Sequence, residues 1–204
     1  MLRFLTFAAL FGCLLAPWSH AGDPKKKAPE PVDYYPLQVG NSWVYDLDAN
    51  GKKLTMDSKI ARVEVIDGVP LAVLEAEING QVAATEHLRT NDKGTFRHRM
   101  NQFVPDPPIM LLKSPLKADD KWSGEFQIGN VQAKYSAETK AEDVEVPAGK
   151  FKTIRVDLRV EEKDMVVTTA YWFAPNVGYV KQTIAIGPVT ILAELRKYEV
   201  RVAK

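Results

Sequence analysis

His87 and His98, the carboxylate pairs Asp119-Asp120, Glu142-Asp143 and Glu161-Glu162, and Cys13 are the residues of this chain whose types suit chemistry. A catalytic or structural metal needs three or four converging ligands, and no His-x-His, His-x-x-x-His or cysteine pair supplies them. His87 sits in TEHLR on the same parity as Ala83, Thr85 and Arg89, which reads as the wet face of a strand. His98 is flanked by Arg97 and Arg99 and also reads as a surface residue. The carboxylate pairs fall at turns and strand ends, where solvated acids are expected. A glycosidase-type pair needs no sequence motif and stays open in principle. No nucleophile elbow, phosphate-cradling loop or dinucleotide fingerprint is present. The residues therefore predict no enzyme, no catalytic site, no metal and no cofactor.

The elements that would position such residues begin after a short leader. Residues 1–21 carry one arginine, an apolar stretch and Ser19-His20-Ala21, the pattern of a cleaved export signal. The stretch is shorter than the roughly 20 residues a spanning helix needs, so no transmembrane span is expected after its removal. Cys13 is the only cysteine and lies inside this leader, so no disulfide is expected. Leu10-Phe11-Gly12-Cys13 also has the outline of a lipoprotein cleavage site, although Phe11 is bulky for that motif. Residues 22–33, rich in lysine and proline, read as a flexible tether, and 34–204 as a single domain. The full chain has 27 basic and 26 acidic side chains. Loss of Arg3 with the leader makes the rest formally neutral, which argues against a nucleic-acid partner.

From Tyr34 onward the hydrophobic period is two. Asp67-Gly68 and Asn79-Gly80 are hairpin signals, so 70–78 should pair with both neighbours. A change of parity near Ala61 predicts a bulge. In 154–160, Ile154, Val156, Leu158 and Val160 alternate with charged residues and should face the core. Residues 103–120 are irregular, with Pro105, Pro107, Pro108 and Pro115 excluding a helix or a central strand. No amphipathic helix is legible, so the sheet must cover its own apolar face. The expected fold is all-β: a curved antiparallel meander of about 10–11 strands, a half-barrel or a closed barrel. Two nonamers, 35–43 and 114–122, share Pro-Leu at the second and third positions and tryptophan at the ninth. They mark either a duplicated half or a convergent way of starting a strand.

YYPLQVGNSWVY (34–45), SPLKADDKWSG (114–124), VPAGKFKTIRV (146–156) and YWFAPNVGYVKQ (171–182) resemble the recurring motifs of a group of uncharacterised bacterial exported proteins. The resemblance covers 34–197 and implies a curved antiparallel sheet similar to the half-barrels of periplasmic lipoprotein carriers. It brings no reaction and no site residues. Asp119 stands where the group has glycine.

These features point to a secreted or periplasmic binding module for a lipid or other apolar molecule, or to an envelope-protein interaction module with a solid core. A long apolar loop must bury itself or a ligand. Phe103, Ile109, Met110, Leu111 and Leu112 of the irregular segment, with Trp122 and Trp172, are therefore the candidate ligand or lid residues.

Overall fold

The structure, a computed structural model, describes residues 32–163 and 165–201. The leader, Cys13 and most of the tether lie outside the described residues. Within them there is no helix. Twelve strands follow in chain order: β1 (Ser42–Ala49), β2 (Lys52–Ile66), β3 (Val69–Ile78), β4 (Gln81–Asn91), β5 (Gly94–Met100), β6 (Ile109–Lys113), β7 (Lys121–Ile128), β8 (Val131–Val146), β9 (Gly149–Glu162), β10 (Met165–Ala174), β11 (Gly178–Ile186) and β12 (Val189–Glu199). All ladders are antiparallel, in the order β6-β5-β4-β3-β2-β1-β12-β11-β10-β9-β8-β7. The sheet curls into a nearly closed barrel. Its two edges, β6 and β7, meet at a seam without a ladder, and the isolated bridge Asp106↔Gln127 ties the connection ahead of β6 to β7.

The strand that the sequence pattern omits is β6. Prolines flank it at Pro108 and Pro115 and do not interrupt it, and its position at the sheet edge is where neighbouring prolines are tolerated. Elsewhere the alternation holds. Ladder β2–β3 shifts register between Ile60 and Arg62, the bulge expected near Ala61. Strand β3 pairs with both β2 and β4. Val156 and Leu158 are buried in the core, with Ile154 and Val160 half-buried on the same parity.

The two six-stranded halves repeat each other. Ladder β1–β2 runs from Ser42↔Lys59 to Ala49↔Lys52, and β7–β8 repeats this register from Lys121↔Glu138 to Ile128↔Val131. Ahead of β1, the Gly40 N–H donates to Ile60 O and the Ile60 N–H to Asn41 O, both at 2.9 Å. Ahead of β7, Asp119 N–H donates to Thr139 O at 2.9 Å and Thr139 N–H to Asp120 O at 3.0 Å. Asp119 adopts the left-handed φ of 63° where Gly40 has 92°, so the turn survives loss of the glycine. A register shift recurs in the corresponding hairpins, between His87 and Leu88 in β4 and between Trp172 and Phe173 in β10. Of the two origins the nonamers leave open, the shared geometry favours duplication.

Because neighbours are antiparallel, the connections alternate between two ends of the barrel. Connections 66–69, 91–94, 113–121, 146–149 and 174–178 share one end with residue 42. Connections 49–52, 78–81, 100–109, 128–131, 162–165 and 186–189 share the other.

Candidate ligand-binding interior

The end containing residue 42 is sealed. Trp43 is 2% exposed, and its indole N–H donates to Val177 O at 2.6 Å. The Tyr45 hydroxyl donates to Tyr179 O at 2.9 Å, and the two rings stack at 4.9 Å. Tyr35, brought in by the segment ahead of β1, packs on Phe173 at 5.6 Å and on Tyr179 at 6.1 Å. Asn41 holds that segment, with Nδ2 donating to Pro36 O at 3.0 Å and Oδ1 accepting from Arg201 N–H at 2.8 Å. Burial, reinforced by neighbouring charge and hydroxyls, pushes the Tyr35, Tyr45 and Tyr179 hydroxyls well above the usual phenol range.

At the opposite end, residues of the same inward parity become open to solvent. Along β10, Phe173 is 1% and Tyr171 7% exposed, Val167 is half-buried, and Met165 reaches 49%. On β12, Leu195 and Ala193 are buried, Ile191 is half-buried, and Val189 is 42% exposed. Strand β11 repeats the trend from Tyr179 through Ile184 to Ile186 at 44%. Leu54, Met56 and Ile78 are also half-buried on the inward side. Exposed Phe103 and Val104 join this rim from connection 100–109. Side chains fill a lumen of about eight strands. Twelve strands can enclose more, and the inward-facing side chains at this end are open to solvent.

Between the two ends lies a polar group. Glu86 and Arg97 face inward beside Leu74 and Leu88. Arg97 Nε donates to Glu86 Oε2 at 2.7 Å, and its Nη2 donates to the Tyr171 hydroxyl oxygen at 3.2 Å. Burial opposes the charge on Arg97, but Glu86 and Tyr171 more than offset this and hold its pKa above the ordinary guanidinium value. Glu86 had a sequence signal: it interrupts the apolar parity Ala84, Leu88. Arg97 had none, because a bulge at His98 turns Arg97 inward and Arg99 outward.

The sequence candidates fall in three places. Phe103 lies exposed at the open rim. Ile109, Leu111 and Leu112 are buried behind the seam, where Met110 and Trp122 face each other and the Trp122 indole donates to Met110 O at 3.0 Å. Trp172 lies on the outer face, buried beneath Arg155, whose guanidinium sits 4.8 Å from the ring centre.

The outer face also corrects the reading of His87. It does point away from the core, but it is 5% exposed, with Nε2 2.9 Å from Glu64 Oε2. Among the described residues its Nδ1 has no hydrogen-bond partner. Partial burial, then the charge of Arg89 and the neighbouring His87, lower the pKa of His98. Among the described residues no three His, Cys, Asp or Glu side chains converge on a metal position. A groove of about 930 Å³ crosses the outer face of β7–β12, floored by Ser136, Thr168, Ala170 and Thr183 and bordered by Arg155 and Arg159.

The chain matches no protein-family model and no curated protein sequence. Solved structures do resemble it. A candidate lipoprotein from Parabacteroides distasonis is 13% identical, covering 82% of this chain and 99% of its own, with a TM-score of 0.46. A candidate exported protein with a YmcC-like fold from Bacteroides fragilis is 16% identical over 81% of this chain and 98% of its own, with a TM-score of 0.49. LprF from Mycobacterium bovis is 11% identical over 82% and 89% respectively, with a TM-score of 0.24.

Proposed function

We propose that this is an exported, non-catalytic binding module of the cell envelope that holds the apolar chain of a lipid or similar molecule in its barrel. The reading is carried by the inward-facing apolar side chains of β10, β11 and β12, which pass from sealed at one end to nearly half exposed at the other. A protein that bears an open apolar interior leaves a large driving force unused, about 25 cal/mol for each Å² that a ligand would cover. Phe103 would meet the ligand at the rim. Ile109, Met110, Leu111, Leu112 and Trp122 would form the wall beside the seam. Trp172, on the outer face, would meet a ligand only there.

Purification from the native envelope followed by lipid extraction and native mass spectrometry should reveal a bound apolar molecule. A fluorescent long-chain probe should bind the delipidated protein. Ile184→Trp, which fills the open half, should weaken that probe by about tenfold or more, a loss of only about 1.4 kcal/mol. Failure of the probe to bind, or affinity unchanged by Ile184→Trp, would remove this reading. A second reading, an envelope interaction module working from its outer surface, is favoured by the groove across β7–β12. It expects charge reversal at Arg155 and Arg159 to abolish partner capture while probe binding is untouched.

A further inference from the structure

We propose that the interior selects ligands by an acidic head: the Arg97 guanidinium and the Tyr171 hydroxyl bind the carboxylate or phosphate end of an apolar chain. This deepens the reading above and rests on it.

The Glu86–Arg97 pair is not one that the fold needs. A buried ion pair contributes little to stability and is often replaced by apolar residues without loss. This molecule supplies its own comparison. Counting from the shared register shift, Glu86 and Arg97 of the first half correspond to Tyr171 and Tyr179 of the second. There, the same two places are filled by aromatic rings 5.7 Å apart. The barrel is thus built with rings at one copy of the position and charges at the other.

The donors that remain are of one kind. A guanidinium has five N–H groups. Glu86 takes Nε–H and Tyr171 takes one hydrogen of Nη2, while Nη1 donates to no protein atom among the described residues. The Tyr171 oxygen accepts that bond, so its own hydrogen is free to donate. Nη1 and the phenol therefore form an unused donor pair on neighbouring groups, suited to the two oxygens of a carboxylate or phosphate. Glu86 already neutralises Arg97, which keeps the site from being an unpaired buried charge when empty. At about 3.3 Å per residue, Tyr171 lies about 20 Å along β10 from the rim at Met165. That depth accommodates a long extended chain with its head at the polar group and its tail towards the open end.

Competition titrations against a fluorescent long-chain probe would use hexadecanoate, hexadecyl phosphate, methyl hexadecanoate and hexadecylamine on the delipidated full domain. One or both acids should bind at least about tenfold more tightly than the ester, as expected for a charge-assisted hydrogen bond. Which acid wins distinguishes a fatty-acid source from a phospholipid one. Tyr171→Phe, which keeps the ring, should reduce the preference. The double change Glu86→Gln with Arg97→Met, which leaves no unpaired charge, should abolish it while ester affinity stays the same. Equal binding of acid and ester, tighter binding of the amine, or a preference that survives the double change would overturn the head assignment and leave the hollow intact. Binding of none of the four would overturn both.

Discussion

Strand β1 meets β12 through a ladder from Ser42↔Glu199 to Ala49↔Ile191, with one register shift at Val44/Tyr45, whereas β7 has no ladder to β6, only an isolated bridge to Asp106 ahead of β6 and a few side chains. Both β1 and β7 are introduced by related nonamers and by corresponding pairs of turn hydrogen bonds. The difference lies in the partner strand. β12 has 11 residues and β6 has 5. Pro105, Pro107, Pro108 and Pro115 occupy the places where β6 would lengthen, and a proline has no N–H to offer a ladder. What the seam lacks in backbone pairing is supplied by side chains. The Met110 N–H donates to the Tyr135 hydroxyl at 3.4 Å, the Trp122 indole donates to Met110 O, and Lys113 reaches Asp120 at 3.5 Å. The bare edge of β6 is thereby covered without a strand, which protects it from pairing with another chain.

If one junction is a ladder and the other a latch, their two tryptophans should differ in worth. Trp43→Ala should cost about 3–5 kcal/mol, the usual range for emptying a large aromatic site in a core. Trp122, half-buried, should cost less than half as much. Equilibrium urea unfolding of the two variants checks this, and equal losses would mean that the seam carries as much of the fold as the ladder.

A sharper cut uses the glycines that open β5 and β11. A methyl group on Gly94 would overlap the Leu112 carbonyl, and a backbone group in a ladder cannot step aside as a side chain can. Gly94→Ala should cost about 2 kcal/mol and loosen β6 from β5, the one strand holding it. A methyl group on Gly178 would meet the Trp43 indole at 3.3 Å, and its φ of 104° is strained for alanine. Amide exchange separates the two: Gly94→Ala should raise exchange through β6, and Gly178→Ala should leave β6 unchanged.

How much of this was legible in the chain follows from what each signal depends on. Turns such as Asp67-Gly68 and Asn79-Gly80, the bulge near Ala61 and the core parity of Val156 and Leu158 are local, and the period-two pattern carries them. The interior polar group is not local. Arg97 and Arg99 share a parity in sequence, yet the register shift opposite His87 turns one to the core and the other to solvent. His87 misleads for a related reason: it does face outward, but Glu64 on a strand 23 residues away covers it. Prolines hid β6 because a segment that cannot be a central strand can still be an edge.

The smallest effect tests the latch most directly. Tyr135 lies over Gly124, where a methyl group would come within 2.7 Å of its ring, so the glycine lets the hydroxyl reach Met110. The bond it accepts is long at 3.4 Å and at the edge of the solvent, and an average intramolecular hydrogen bond contributes only about 1 kcal/mol. Tyr135→Phe should therefore cost about 0.5 kcal/mol or less, yet it removes the acceptor of one particular N–H. A latch predicts that exchange of the Met110 amide accelerates while the β1–β12 amides keep their protection. Unchanged protection at Met110 would show that the seam is closed by packing of Ile109, Leu111 and Leu112 beneath it. In that case the two junctions differ in hydrogen bonds but not in how readily they part.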